Sequence, residues 1–154
     1  MRAAVLTVST TLARGEGDDL SGPRLLELCR AAGLDVEHEV VSDRRDEIAA
    51  ALRRLCDEDG VRFVFTTGGT GLTADDVTPE ATLDVIEREA PGYAETIRAD
   101  SREHTPLGIL SRGVSGIRGR TLIVNLPGNP KAIDQSWPVV KPTLEHAAAT
   151  LERE

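Results

Sequence analysis

Three nearly unbroken apolar runs, at residues 3–9 (AAVLTVS), 61–67 (VRFVFTT) and 120–126 (RTLIVNL), constrain this chain more than any other feature. A strand with one wet face alternates apolar with polar residues, whereas a continuous run of this length marks a strand covered on both faces. Between the runs, apolar residues recur at helical spacing. Leu25, Leu28, Cys29 and Ala32 fall at i, i+3, i+4 and i+7 before Gly33, and Ile48, Leu52 and Leu55 precede Gly60. Val36 to Val41 form a more polar strand, expected near an edge; 61–67 is the most apolar and is expected at the centre. Further along, the pattern predicts a helix from Pro79 capped by Thr78, two short strands around a turn at Gly116–Gly119, a helix from Pro130 capped by Asn129, and a terminal helix from Pro142 to Glu154.

This β-α-β-α-β-α order predicts an α/β fold: a single domain over 1–154, its mostly parallel sheet carrying helices on both faces in three layers, α/β/α. A chain of 154 residues can bury one substantial core, and with aromatics at 3% that core is built from Val, Leu, Ile and Ala. The same scarcity of rings, with a net charge of −8, argues against a nucleic-acid surface. It does not argue against a small anionic ligand, because local dipoles outweigh global charge at short range. No apolar run is long enough to span a membrane, and the N-terminal one lacks the layout of a signal peptide. Cys29 and Cys56 show no metal-type spacing and are expected as reduced core thiols. These features together point to the cytoplasm.

Parallel sheets bind ligands beyond the carboxyl ends of their strands, where the strand order reverses. The loops after residues 9, 41, 67 and 126 are therefore the ones to weigh. The most informative is Thr66 to Thr82, TTGGTGLTADDVTPEAT, which joins the central strand to a helix start. Gly68, Gly69 and Gly71 allow positive φ and close approach of a ligand, and the exposed amides of Thr67 to Gly71 with the helix start at Thr78 and Pro79 suit an anion. A bare turn of this composition is equally a tight βα connection. Two better-known loops do not fit. No lysine follows the glycines, as a P-loop requires, and Gly69-x-Gly71-x-x-Ala74 follows the third strand instead of the first.

Asp75 and Asp76 beside an anion-binding loop repel a phosphate unless a cation lies between them, and Mg²⁺ binds through one or two carboxylates plus phosphate oxygens. Adjacent side chains of an extended segment point opposite ways, so only one of the pair is expected in the site. Asp43, at the end of the second strand, lies on the same rim; Asp43 with Asp76 is the expected metal and catalytic pair, although Asp43 by itself is also a helix-capping residue type. In NLPGNPK, Pro127, Gly128 and Asn129 lead to amides at a helix start, and Lys131 adds a mobile positive charge. Ser21 and Gly22 open another phosphate-compatible helix, and Ser111 and Arg112 are placed to reach an anion. His38, His104 and His146 form no metal pattern; His104 is the one expected to line a cleft.

The blocks SGPRLLELCRAAG, VVSDRRDEI, TTGGTGLTADDVTPEATLDVIEREAPG and PLGILSRGVSGIRGRTLIVNLPGNPKAI, in that order over about residues 3 to 140, resemble the MoaB/Mog family of molybdenum-cofactor biosynthesis. The resemblance implies molybdopterin adenylyltransferase activity: ATP and molybdopterin give adenylyl-molybdopterin and pyrophosphate, with Mg²⁺. It also implies a homotrimer, and the molybdate-inserting enzyme of the same pathway as a partner. The family's two functional aspartates fall on Asp43 and Asp76, its Gly-rich loop on Gly68, Gly69 and Gly71, and its second substrate-contacting loop on PGNPK. One position departs. Many relatives carry a Ser-Asp pair after the first strand, where this chain reads Ser9-Thr10-Thr11, a neutral hydroxyl in place of a carboxylate. That departure sustains an alternative, a non-catalytic pterin-binding protein of the same fold, from which ATP-dependent turnover separates the enzyme.

Overall fold

In the computed structural model, which describes residues 1–153, a six-stranded sheet is built from β1 (Arg2–Val8), β2 (Asp35–Val41), β3 (Phe63–Thr67), β4 (Arg88–Glu89), β5 (Ser115–Arg118) and β6 (Thr121–Leu126). Their spatial order is β2-β1-β3-β6-β5-β4. Strands β2, β1, β3 and β6 are mutually parallel, and β5 and β4 extend the sheet antiparallel from β6. Each apolar run splits cleanly between two cores. Ala3, Val5, Phe63, Phe65, Leu122 and Val124 face one layer, and Ala4, Leu6, Val64 and Ile123 face the other. This is the period-2 alternation of a strand, made invisible in the sequence because both faces are dry.

The helices are α1 (Thr10–Ala13), α2 (Ser21–Ala31), α3 (Arg45–Asp57), α4 (Thr78–Val85), α5 (Gly92–His104), α6 (Pro130–Val140) and α7 (Leu144–Leu151), with 3₁₀ turns at Pro106–Leu110 and Lys141–Thr143. Side chains of α2, α5, α6 and α7 fill the first core; those of α3 and α4 fill the second. In α3 the buried face is Ile48, Ala49, Ala51, Leu52 and Leu55, while Asp46 and Glu47 in the first turn and Arg54 in the last complement the helix dipole. The few aromatics are concentrated: Phe65 lies 6.0 Å from Phe63 and 5.4 Å, edge-on, from Trp137. Central β3 and edge β2 stand where the sequence places them.

Four details differ from expectation. Thr78 is the first residue of α4 and not its cap, for a reason given below. The hairpin turn lies between Arg118 and Thr121; Gly116 sits within β5, where a Cβ would come 2.5 Å from Ile86 and 2.7 Å from the Arg88 carbonyl. The terminal helix spans Leu144–Leu151 after a 3₁₀ turn, and the expected end at Glu154 lies outside the described residues. Finally, α1, α5 and β4 have no counterpart in the sequence reading.

Candidate active site

The chain passes from β1 to β2 on one side and then crosses to β3 on the other, so the order reverses between the carboxyl ends of β1 and β3. A cavity of about 380 Å³ opens there, lined by Thr7, Val8 and Ser9 from β1 and its loop, Asp18 to Ser21 at the start of α2, Thr67 and Gly68 at the end of β3, and Gly128 to Pro130 after β6.

Local geometry explains why those loops meet. Gly68 and Gly69 take φ of +95° and +72°, conformations that side chains rarely adopt. A Cβ on Gly68 would sit 2.6 Å from the Val8 carbonyl oxygen, and one on Gly69 would sit 2.2 Å from Oγ1 of Thr78. Thr78 donates its hydroxyl to the Gly68 carbonyl at 2.9 Å and its amide to the Gly69 carbonyl at 3.1 Å. The loop thus curls onto the start of α4, which is why Thr78 is committed inward and buried beside Pro79 instead of capping. Gly71 has no positive φ; its need is space, because a Cβ there would lie 2.7 Å from Oδ2 of Asp76. The hydroxyl of Thr67 donates to the Pro127 carbonyl at 2.7 Å, joining the loops after β3 and β6. Asn129 caps α6 as expected, accepting from the Ala132 amide at 2.9 Å.

Ser9, Ser21, Thr67, Gly68, Gly128 and Asn129 are therefore brought together around one cavity. Asp43 and Asp76 are not among the residues that line it; Asp43 is held by Thr10, whose hydroxyl donates to Oδ1 of Asp43 and accepts the Asp43 amide at 3.1 Å. Asp76 is half-buried and its Oδ2 accepts from the amide and hydroxyl of Thr73, at 3.0 and 2.8 Å, whereas Asp75 is exposed. Arg45, two residues beyond Asp43, forks onto Asp84 of α4 at 2.7 and 2.8 Å, and that hydrogen bonding holds the Asp84 carboxyl below the usual range.

Other expectations are corrected. Arg112 is not a free anion ligand. Its guanidinium donates to the Gly71 carbonyl at 2.8 Å, the Asp76 carbonyl at 2.5 Å and the Glu80 carboxylate at 2.6 Å, and its amide donates to the Thr70 carbonyl. Ser111 turns back to accept the Gly113 amide, so it too serves the local backbone. The Gly22 amide is taken by Oδ1 of Asp19 at 2.9 Å, which removes it from the set of amides offered to a ligand. Lys131 is exposed in the first turn of α6, outside the cavity wall. His104 pairs with Asp100 along α5 at 3.4 Å; the histidine behind the cavity is His38, with Nε2 2.8 Å from the Thr7 hydroxyl and 3.2 Å from Asp19. Sequence reasoning missed Asp19, although Asp three residues before a Gly at a helix start is a capping signal. It also missed Asn125, buried behind the Gly-rich loop and donating to the hydroxyls of Thr66 and Thr82.

Among the described residues no group of three or more His, Cys, Asp or Glu is placed to hold a metal by itself. Chemically the cavity offers hydroxyls, glycine backbone, a helix cap and the carboxylates of Asp18 and Asp19. Such a set orients a polyanion; it contains no histidine or thiol nucleophile.

A family model described as a probable molybdopterin binding domain matches residues 4–146. The molybdopterin adenylyltransferase of Helicobacter pylori strain J99 is 40% identical over 145 residues, covering 92% of this chain and 82% of that one. The enzyme of the same name from Escherichia coli K12 is 39% identical over 144 residues, covering 92% and 74%. The crystal structure of the molybdopterin biosynthesis enzyme MoaB from Thermus thermophilus superposes with a TM-score of 0.90 at 42% identity, covering 97% of this chain and 95% of that one. With its switch-point cavity, its Gly-rich β3–α4 loop and a match from residue 4 to residue 146, the chain belongs to the molybdopterin-binding domain family of molybdenum-cofactor biosynthesis proteins.

Proposed function

We propose that this protein is a cytoplasmic molybdopterin adenylyltransferase, moving AMP from Mg-ATP to the terminal phosphate of molybdopterin with release of pyrophosphate. One observation carries the reading: at the sheet's switch point the loops after β1, β3 and β6 meet around one cavity, in a chain about 40% identical to adenylyltransferases. In the transfer, a terminal phosphate oxygen of molybdopterin attacks the α-phosphorus of ATP in line, the new P–O bond forms, and the bond to pyrophosphate breaks. The nucleophile is already ionised near neutral pH, so the absence of a histidine or thiol from the cavity wall is no obstacle. What remains for the protein is to hold two polyanions together and neutralise their charge.

The residues fit Mg²⁺ of the substrate-borne kind. Such an ion takes one or two carboxylates and completes its shell with phosphate oxygens and water, and Asp43 and Asp76 follow β2 and β3 on separate loops. Asp43 and Asp76 would hold it; its contribution is charge neutralisation at the α-phosphate. Ser9, Ser21 and Asn129, with the backbone at Gly68 and Gly128, orient the ligands. The homotrimer and an encounter with the molybdate-inserting enzyme of the pathway belong to the same reading.

The hydroxyl of Thr10, which takes up one oxygen of Asp43, favours a second reading, a protein that binds the pterin without nucleotide chemistry. Incubation with Mg-ATP and molybdopterin decides between them. The enzyme releases pyrophosphate in a one-to-one ratio with adenylyl-molybdopterin; tight molybdopterin binding without pyrophosphate would establish the binder.

A further inference from the structure

Resting on that reading, we propose that Arg112 is a positioning residue of the transfer site, acting through the backbone of the Gly-rich loop to aim the Asp76 carboxylate. Arg112 follows the 3₁₀ turn Pro106–Leu110, far in sequence from the loop, yet it grips both ends of the segment 70–76. Its amide donates to the Thr70 carbonyl at 2.8 Å, Nε to the Gly71 carbonyl at 2.8 Å, and Nη2 to the Asp76 carbonyl at 2.5 Å. Nη1 is anchored on Glu80 of α4, at 2.6 and 3.2 Å from its two carboxylate oxygens. Only a planar fork with diverging donors meets two carbonyls and a carboxylate at once; an ammonium concentrates its three donors at one point.

Between the two gripped carbonyls the chain has little freedom left. The Asp76 amide donates to the Thr73 carbonyl at 3.1 Å, Asp76 Oδ2 accepts twice from Thr73, and Gly71 leaves room for that same oxygen. The carboxylate is therefore oriented by its own main chain, and the main chain is oriented by Arg112. A group aimed in this way matters to the reaction more than to ground-state binding, because misplacement by about 1 Å can cost on the order of 10²-fold in rate.

Arg112→Lys keeps the charge and removes the fork. Arg118 supplies a matched control away from the site: it donates to both Asp57 oxygens at 2.9 and 2.7 Å and to the Val85 carbonyl at 3.0 Å. Both Lys variants are expected to melt a few degrees lower. Arg112→Lys should also lose roughly 10-fold to 10²-fold in kcat, with KM for ATP changed less than about threefold, and amide exchange at residues 70–76 should quicken; Arg118→Lys should turn over like the wild type. A salt-dependent rise in KM with kcat intact would make Arg112 an anion ligand and overturn the proposal. So would loss of melting temperature in both variants with turnover intact in both. A wild type and an Arg118→Lys variant that both release no pyrophosphate would instead overturn the functional reading itself.

Discussion

The hydroxyl of Thr10 bridges the carboxylate and the amide of Asp43, donating to Oδ1 and accepting from the backbone N–H. This ties the end of β1 to the end of β2 and leaves the second carboxylate oxygen of Asp43 for a ligand. An asparagine at 43 still accepts the Thr10 hydroxyl through its own Oδ1, so Asp43→Asn separates charge from structure. Pyrophosphate release at saturating Mg²⁺ is expected to fall on the order of 10²-fold, about 2.7 kcal/mol, with the melting temperature nearly unchanged. Asp75→Asn, at an exposed position, should cost less than roughly tenfold, the scale of a screened charge. Equal losses at the two positions would put the wrong carboxylate in the site.

Asp76→Ala is expected to abolish adenylyl transfer. It also removes the acceptor of two Thr73 hydrogen bonds, worth about 1 kcal/mol in an exposed loop, so melting should fall by roughly 2–4 °C. Retained specific activity together with a much larger loss of stability would reduce Asp76 to a structural residue.

Gly22 is required by packing. A Cβ there would lie 2.3 Å from Oδ2 of Asp19, 2.5 Å from Nε2 of His38 and 2.5 Å from the Thr7 hydroxyl, none of which can retreat without breaking the cluster. Gly22→Ala should destabilise the fold by about 1–3 kcal/mol and raise KM, because the displaced Asp19 belongs to the cavity wall. Denaturant titration and steady-state kinetics measure both; an unchanged midpoint would contradict the packing argument.

Burial pushes the Cys29 thiol up to about 12, and burial likewise pushes Cys56 up to about 11 against a hydrogen bond from Thr121. In the unfolded chain both titrate near the ordinary value of about 8.5. Raised folded values mean that their contribution is complete below that pH and is lost as pH climbs towards 11 and 12. Unfolding free energy should therefore decline above about pH 8.5, by at most about 1.4 kcal/mol per pH unit for each thiol. At pH 8 neither thiol should react with a thiol reagent until the protein unfolds. Rapid native-state labelling of Cys29 would refute the burial argument.

The proposed homotrimer predicts a mass three times the 16.5 kDa of the chain in light scattering across micromolar concentrations. Leu107, Ile109 and Leu110, exposed in one 3₁₀ turn, are the kind of surface that assembly covers. A constant monomer mass over that range would exclude the trimer.

What the sequence discloses and what it withholds follow from one distinction. Residues 3–9 and 61–67 advertise buried strands because nearly every side chain in them is apolar or small, and the edge position of β2 shows in the polar stretch Glu37, His38 and Glu39 between its valines. By contrast, α5 buries only Ala94 and Ile97 along 13 residues, too narrow a stripe to register as a period. Thr78 has the chemistry of a cap, and only the backward curl of Gly68 and Gly69 redirects its hydroxyl. Arg112 looks like an anion ligand because its partners are mostly main-chain carbonyls, which leave no mark in a sequence. The loops of the site were therefore legible, and the division of labour within them was not.

The two flanks of the cavity differ in how firmly they are held. Gly68 and Asp76 follow β3, which is paired on both sides and wholly buried. Asp43 follows β2, an edge strand whose one strand partner is β1 and in which no residue is fully buried. Local opening draws on the segments with fewest buried side chains, so amide exchange along β2 is expected to be faster than along β3. If Asp43 holds the ligand as proposed, binding is expected to stabilise β2 by mass action. Affinity at this cavity accordingly contains a folding contribution from one strand, and slowed amide exchange along Asp35–Val41 is where that contribution becomes visible.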